Sequence, residues 1–279
     1  TEGHNTHVIG IKGNFDDAQN AVKRIFASKE MNEKFAKAGY ELSSANSINF
    51  GRLVPQIVYY FSAYLDLLSE GEIEPEEQIN FVVPSGNFGN ILAGYYAKRM
   101  GLPIKQLIVA SNENNVLTEF FETGLYNARR KFHKTISPSM DILVSSNLER
   151  LVYEMLNRES DKVVSLMEEL KKDGEYSVDE DTLYDVAPEF IGYWSSEEET
   201  KNVIGNVFDE YGYLLDPHTA VAVSAFFKFM NDAYDEASAV ILSTANPYKF
   251  PQSVLEAVSE QKETDAFKAI KKLEMLTGA

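Results

Sequence analysis

Hydrophobic and polar positions change period several times along the chain, and each change marks an element. The short β-prone run His7–Ile11 predicts a strand, and Asp16 and Asp17 then cap a helical pattern carrying Ala18, Val22, Ile25 and Phe26. A second short helix, Met31 to Lys37, closes at Gly39, and the polar stretch Ser43–Asn49 reads as a loop. A long helix beginning near Arg52 places Ile57, Tyr60, Phe61, Tyr64 and Leu68 at helical spacing. After the acidic turn Glu70 to Gln78, the run Ile79-Asn80-Phe81-Val82-Val83 is a buried type of strand. Next come the loop Pro84–Asn90, a helix Ile91 to Met100 closed by Gly101 and Pro103, and a strand Gln106 to Ala110.

That strand–loop–helix–strand order favours a parallel sheet. Residues 147–208 are rich in helical pattern and acidic, with Glu197-Glu198-Glu199 opening one helix where negative charge suits the macrodipole. A further helix spans about Pro217 to Met230, and Ala239–Ser243 returns to β character. No internal repeat, low-complexity tract or convincing linker divides the chain. The expected fold is α/β, an open, mostly parallel sheet flanked by helices.

Composition narrows the class of protein. At 279 residues with 44% hydrophobic and 25% charged, the chain has the makeup of a globular protein, and no apolar run approaches a membrane span of roughly 18 residues. A formal charge of -17 repels the phosphate backbone of nucleic acid, so no nucleic-acid or membrane partner is expected. The absence of cysteine excludes disulfides, thiolate metal sites and cysteine nucleophiles, and fits a reducing, cytoplasmic location. His4, His7, His133 and His218 are scattered, and no metal is expected. The opening Thr1-Glu2-Gly3-His4 carries neither an initiator Met nor a signal pattern and reads as an internal starting point.

The segment with the most chemistry is Ser85-Gly86-Asn87-Phe88-Gly89-Asn90. Two glycines between a strand and a helix let backbone N–H groups approach a phosphate. It is neither a Walker loop nor a dinucleotide fingerprint, and spacing alone leaves a ligand-free tight turn as an equal alternative. A nucleotide-phosphate-binding α/β domain is also compatible with the loop taken by itself.

The phrase Pro84 to Lys98 resembles the phosphate loop and following helix of threonine synthases, members of the tryptophan-synthase-β-like, fold type II group of pyridoxal-phosphate enzymes. Five more phrases agree in family order: Gly13–Gln19, Asn46–Asn49, Ser137–Ile142, Asp216–Val221 and Thr244–Pro247. The resemblance implies that Gly86, Asn87, Phe88, Gly89 and Asn90 hold the phosphate of pyridoxal 5'-phosphate, and that Thr244 offers its hydroxyl to the pyridine nitrogen. It implies that Asn46, Ser47 and Arg52 clamp the phosphate of the substrate, O-phospho-L-homoserine, which with water becomes L-threonine and phosphate. It further implies that residues 1–70 belong to a smaller domain and 71–279 to a large cofactor-binding one.

The match also has gaps. The family's Schiff-base lysine phrase and its Ser-Gly-Asp-Thr-Gly loop have no counterpart here, so the chain is expected to be a C-terminal portion, inactive alone, with a non-catalytic binding protein as the alternative. Lys249 has no Schiff-base role in the family. Asn246 stands where many relatives carry His, and His218 sits at a helix start after Pro217.

Overall fold

The computed structural model describes residues 3–13, 15–43, 45–184 and 188–278. The chain forms two compact units, Thr1–Ala45 and Asn46–Ala279. In the first unit, helix α1 (Phe15–Ala27) is followed by α2 (Lys29–Lys37). Ser28 makes the break, its side chain accepting from the Met31 N–H at 3.3 Å as the N-cap of α2. Residues 7–11 are not a strand. Val8, Ile9 and Ile11 are exposed, and no neighbouring strand satisfies their backbone among the described residues, so β propensity alone does not produce pairing.

The second unit begins with α3 (Phe50–Leu53), a 3-10 turn (Val54–Gln56) and α4 (Ile57–Glu70). The sequence predicts one helix here; Pro55, which cannot donate to a helical ladder, sits in the turn that divides it. Then come β1 (Ile79–Pro84), α5 (Gly89–Arg99), β2 (Ile104–Ser111), α6 (Val116–Thr123), β3 (Leu125–Asn127), α7 (Leu148–Met155), α8 (Ser160–Asp173) and β4 (Glu175–Ser177). The chain continues with α9 (Glu180–Tyr184), β5 (Phe190–Trp194), α10 (Glu197–Tyr211), α11 (Pro217–Ala233), β6 (Ala239–Ile241), α12 (Pro251–Ser259) and α13 (Ala266–Thr277). The acidic run opens α10 through a capping box between Ser196 and Glu199.

Four strands form one sheet in the order β5-β2-β1-β6, all parallel, while β3 and β4 pair antiparallel by themselves. Every residue of β1 is buried, which explains the apolar stretch Phe81–Val83: both faces of a parallel sheet are covered, and the polar Asn80 donates from Nδ2 to Asp235 at 3.3 Å. Phe81, Val83, Leu107 and Val109 point to a core shared with Tyr60, Leu92, Phe120 and Leu151 from α4, α5, α6 and α7. Val82, Ile108 and Ala110 point the other way, onto Val221, Ala222, Ala225 and Phe229 of α11. The opposite side of α11 packs with α10, α12 and α13 through Ala220, Ile204, Val254, Leu255 and Leu273. Strand β6 is shorter than its sequence pattern, ending at Ile241; Leu242 adds one ladder bond to Val82 O, at 3.0 Å, before the chain turns away. None of the helices, among the described residues, is long and apolar enough to cross a membrane.

Candidate functional site

Strands β1 and β6 are parallel neighbours whose chains leave toward opposite faces of the sheet. Beyond Pro84, β1 leads into α5, in the first core; beyond Ile241, β6 leads through a 3-10 turn, Pro247–Lys249, into α12, on the other side. Diverging exits open a crevice at the carboxyl ends of the strands, where open parallel sheets bind ligands. A cleft of about 420 Å³ lies there, walled by the 84–90 loop, Ser139, Met140, His218, Thr244 and, from the helix start, Ser47 and Arg52.

The loop is built to present N–H groups. The Ser85 N–H closes the ladder on Ala110 O at 2.8 Å; from Gly86 to Asn90, no backbone N–H finds an acceptor among the described residues. Their carbonyls, by contrast, are occupied on the far side. Ser145 Oγ donates to Gly86 O at 2.7 Å, and Asn147 donates to Asn87 O from its backbone (3.2 Å) and from Nδ2 (2.9 Å). Because C=O and the next N–H point in opposite directions across a trans peptide, the N–H groups of Asn87 and Phe88 are turned away from the 145–147 segment. Gly89 and Asn90 add the orphan donors of the first turn of α5, at the positive end of its dipole. Together these donors suit a phosphate.

Two features fix the loop's shape. Phe88 adopts a left-handed φ of 62°, and its buried ring holds it there by packing on Phe121 and Phe190 at 5.9 and 5.8 Å. Its contribution to the cleft is therefore its backbone. Gly86 lies so close to the next wall that a Cβ would stand 2.9 Å from Ser139 O and 3.2 Å from Met140 Cα. Asn90, at the helix start, is gripped by Tyr60, whose hydroxyl lies 2.9 Å from both Asn90 O and Oδ1. Burial pushes the Tyr60 phenol well above its ordinary pKa, so it stays a neutral donor.

Of the other residues singled out in the sequence, Ser47, Arg52 and Thr244 share the cleft with the loop. Asn49 caps α3 by accepting from Gly51 N at 2.9 Å, which sets the backbone that carries Arg52. Asn46 does not line the cleft; its Oδ1 accepts from Ile48 N at 3.3 Å in a local turn. The Thr244 hydroxyl has no hydrogen-bond partner among the described residues, and Thr244 also borders a second cavity of about 530 Å³ with Asn246 and Lys249. Asn246 caps the 3-10 turn by accepting from Tyr248 N at 2.9 Å. Lys249 Nζ stands 6.0 Å over the Phe250 ring. Among the described residues, no lysine lines the first cleft.

His218 is buried and has both ring nitrogens in use. Nδ1 lies 2.9 Å from Asp216 Oδ1, and Nε2 accepts the Ser139 N–H at 3.2 Å. That pairing selects the tautomer protonated on Nδ1. Burial pushes the Asp216 carboxyl up, but hydrogen bonds from His218 and Thr219 outweigh it and hold the group below the usual carboxylate range. The sequence flags neither Tyr60 nor the Ser145-Ser146-Asn147 run as part of the site. The only signal is a cluster of hydrogen-bonding side chains immediately before α7.

The C-terminal segment, residues 219–277, matches the family model described as threonine synthase, C-terminal. Threonine synthase from Pseudomonas aeruginosa is 42% identical over 255 residues, covering 91% of this chain and 52% of that protein. The crystal structure of threonine synthase from Brucella melitensis, with PLP bound, superposes with a TM-score of 0.78 at 42% identity, covering 93% of this chain and 53% of that one. The chain belongs to the threonine synthase family. Human threonine synthase-like 1 is 41% identical over 262 residues, covering 92% of this chain and 35% of its own length. The chain thus spans about half, or less, of the threonine synthases and threonine synthase-like proteins it matches. The parallel four-stranded sheet with helices on both faces agrees with the threonine synthase architecture.

The residues present suit the phosphate end of pyridoxal 5'-phosphate: among the described residues, five consecutive N–H donors lack protein acceptors at the wall of a cleft that also presents an unpartnered hydroxyl, Thr244.

Proposed function

We propose that this chain supplies the phosphate-binding half of a pyridoxal-phosphate-dependent threonine synthase, which converts O-phospho-L-homoserine and water to L-threonine and phosphate. The observation that carries the reading is the run of N–H groups from Gly86 to Asn90, without acceptors among the described residues, at the wall of a cleft that Arg52 and Thr244 also line. Gly86, Asn87, Phe88, Gly89 and Asn90 hold the cofactor phosphate through their backbone, and Thr244 offers its hydroxyl to the pyridine nitrogen. The bound cofactor supplies stabilisation of the carbanions that the reaction passes through.

The chain's own share is binding and orientation. Arg52 meets the substrate phosphate with a planar guanidinium able to bind two oxygens, Ser47 adds a hydroxyl to that clamp, and Asn46 shapes the turn that leads into it. Holding the phosphate at that end would fix the orientation of the substrate in the cleft and offset charge on the departing phosphate. The Tyr60 and Asn147 contacts brace the loop through its carbonyls, on the side away from its N–H donors.

Because no lysine lines the cleft among the described residues, this chain by itself is expected to bind without turnover. That same observation favours a second reading, a threonine-synthase-like protein that binds without catalysis. Phosphate release from O-phospho-L-homoserine by the full-length protein separates the two. Reduction of the pyridoxal-phosphate-treated chain with borohydride, followed by peptide mass spectrometry, is expected to find weak, scattered labelling. Clean stoichiometric labelling of one lysine overturns the claim that the chain lacks its own cofactor-bonding lysine.

A further inference from the structure

The cofactor loop and the substrate clamp are separate segments, some forty residues apart in sequence, yet one side chain touches both. Asn147, fully buried at the start of α7, donates through Nδ2 to Asn87 O at 2.9 Å and to Ser47 O at 3.1 Å. Its backbone N–H adds a third bond, to Asn87 O at 3.2 Å. Its remaining polar atom, Oδ1, accepts from Arg150 Nε at 3.2 Å, and Arg150 in turn donates from Nη2 to Ile48 O at 3.1 Å and stacks over Phe50 at 5.5 Å. Every polar atom of the carboxamide is thereby occupied, and its orientation is fixed: the amine side faces two carbonyls and the oxygen faces a cation. Gly89 packs against it so closely that a Cβ there would lie 3.3 Å from Nδ2.

We propose that Asn147 is a positioning residue that ties the 86–90 phosphate loop to the 46–52 clamp, so that a ligand phosphate bound on one segment organises the other. The inference rests on the phosphate-site reading above. Asn147 itself does not line the cleft; it acts by holding Asn87 O and Ser47 O from behind, which turns the Phe88 N–H away from it and keeps the chain leading to Arg52 in register. Arg150 supports the clamp directly, through Ile48 and Phe50, and reaches the loop only through Asn147 Oδ1. The two residues therefore differ in their consequences: losing Asn147 loosens both segments, whereas losing Arg150 loosens chiefly the clamp.

Pyridoxine 5'-phosphate, which has the cofactor's ring and phosphate but no aldehyde to condense with lysines, reports on the loop, and O-phospho-L-homoserine reports on the clamp. Calorimetric titration of the whole chain and its Asn147→Ser variant with each probe is expected to show both dissociation constants raised by roughly tenfold, the net worth of about one hydrogen bond per segment. Arg150→Met is expected to weaken O-phospho-L-homoserine more than pyridoxine phosphate. In the unaltered chain, saturation with one probe is expected to tighten the other, as reciprocity requires of coupled sites. Asn147→Ser binding both probes as the unaltered chain does overturns the proposal, and so does a loss confined to one of them. Should Asn147→Ser not fold, the probes' mutual effect in the unaltered chain decides: independent binding overturns the coupling. No binding of either probe by the unaltered chain overturns the site reading itself, and the role of Asn147 with it.

Discussion

Gly86→Ala is the sharpest test of the loop, because the perturbation is one methyl group. The added carbon would meet Ser139 O at 2.9 Å and Met140 Cα at 3.2 Å, both backbone atoms that cannot rotate aside as a side chain would. Restoring ordinary contact requires the two chains to part by about half an ångström. Ser139 cannot yield freely, since its N–H is held by His218, and Gly86 O is held by Ser145. The loop itself must therefore shift, misaligning the N–H groups on either side of residue 86. A charge-assisted hydrogen bond contributes about 1.5–3 kcal/mol, so spoiling one of them should raise the dissociation constant for pyridoxine 5'-phosphate by roughly 10- to 150-fold. Overpacking should also lower folding stability by about 1–3 kcal/mol. Calorimetric titration at a temperature where thermal melting shows the variant folded measures the first effect free of the second. Affinity retained to within about threefold refutes the argument that this close approach shapes the donors.

Other consequences are separable. Arg52→Ala in the full-length protein should raise KM for O-phospho-L-homoserine by roughly 10- to 100-fold, the loss of a bidentate phosphate contact, and an unchanged KM removes Arg52 from the clamp. His218→Gln, which keeps an acceptor for the Ser139 N–H, should retain more pyridoxine-phosphate affinity than His218→Leu; equal losses would show that the acceptor is immaterial. Tyr60→Phe should destabilise the fold by about 1–2 kcal/mol by stripping two acceptors on Asn90 of their donor, as read by urea denaturation. Asp216, held below the usual carboxylate range, contributes stability that is complete above that range and lost as pH falls through its depressed value. The melting temperature of the unaltered chain should thus fall more steeply in acid than that of Asp216→Asn, and parallel profiles would contradict this.

Much of the fold was legible because β1 and the greater part of β2 are buried on both faces, so Phe81–Val83 and Leu107–Ala110 form apolar runs. The edge strands were harder to read. Phe190–Trp194 has glycine at its centre and pairs only because β2 offers it an edge, while Ala239–Ser243 has the composition of a strand but leaves the sheet after Leu242 to place Thr244 at the cleft. At His7–Ile11 propensity exists without a partner, and at Pro55 a continuous helical period conceals a break. In the site, the glycines advertised the loop, but nothing local announced what holds it. Phe88 takes a left-handed conformation that sequence reasoning assigns to glycine, and only the distant rings of Phe121 and Phe190 explain it. Ser145 and Asn147 act through contacts some sixty residues away, and such pairings are invisible to periodicity.

The central claim, that the Gly86–Asn90 backbone holds a phosphate, is tested most directly by following the backbone amide resonances of the isotopically labelled chain during titration with pyridoxine 5'-phosphate. The account predicts saturable shifts that are largest at the amides of Gly86, Asn87, Phe88, Gly89 and Asn90. Saturable binding that leaves those five amides unmoved, or the absence of binding, would contradict it.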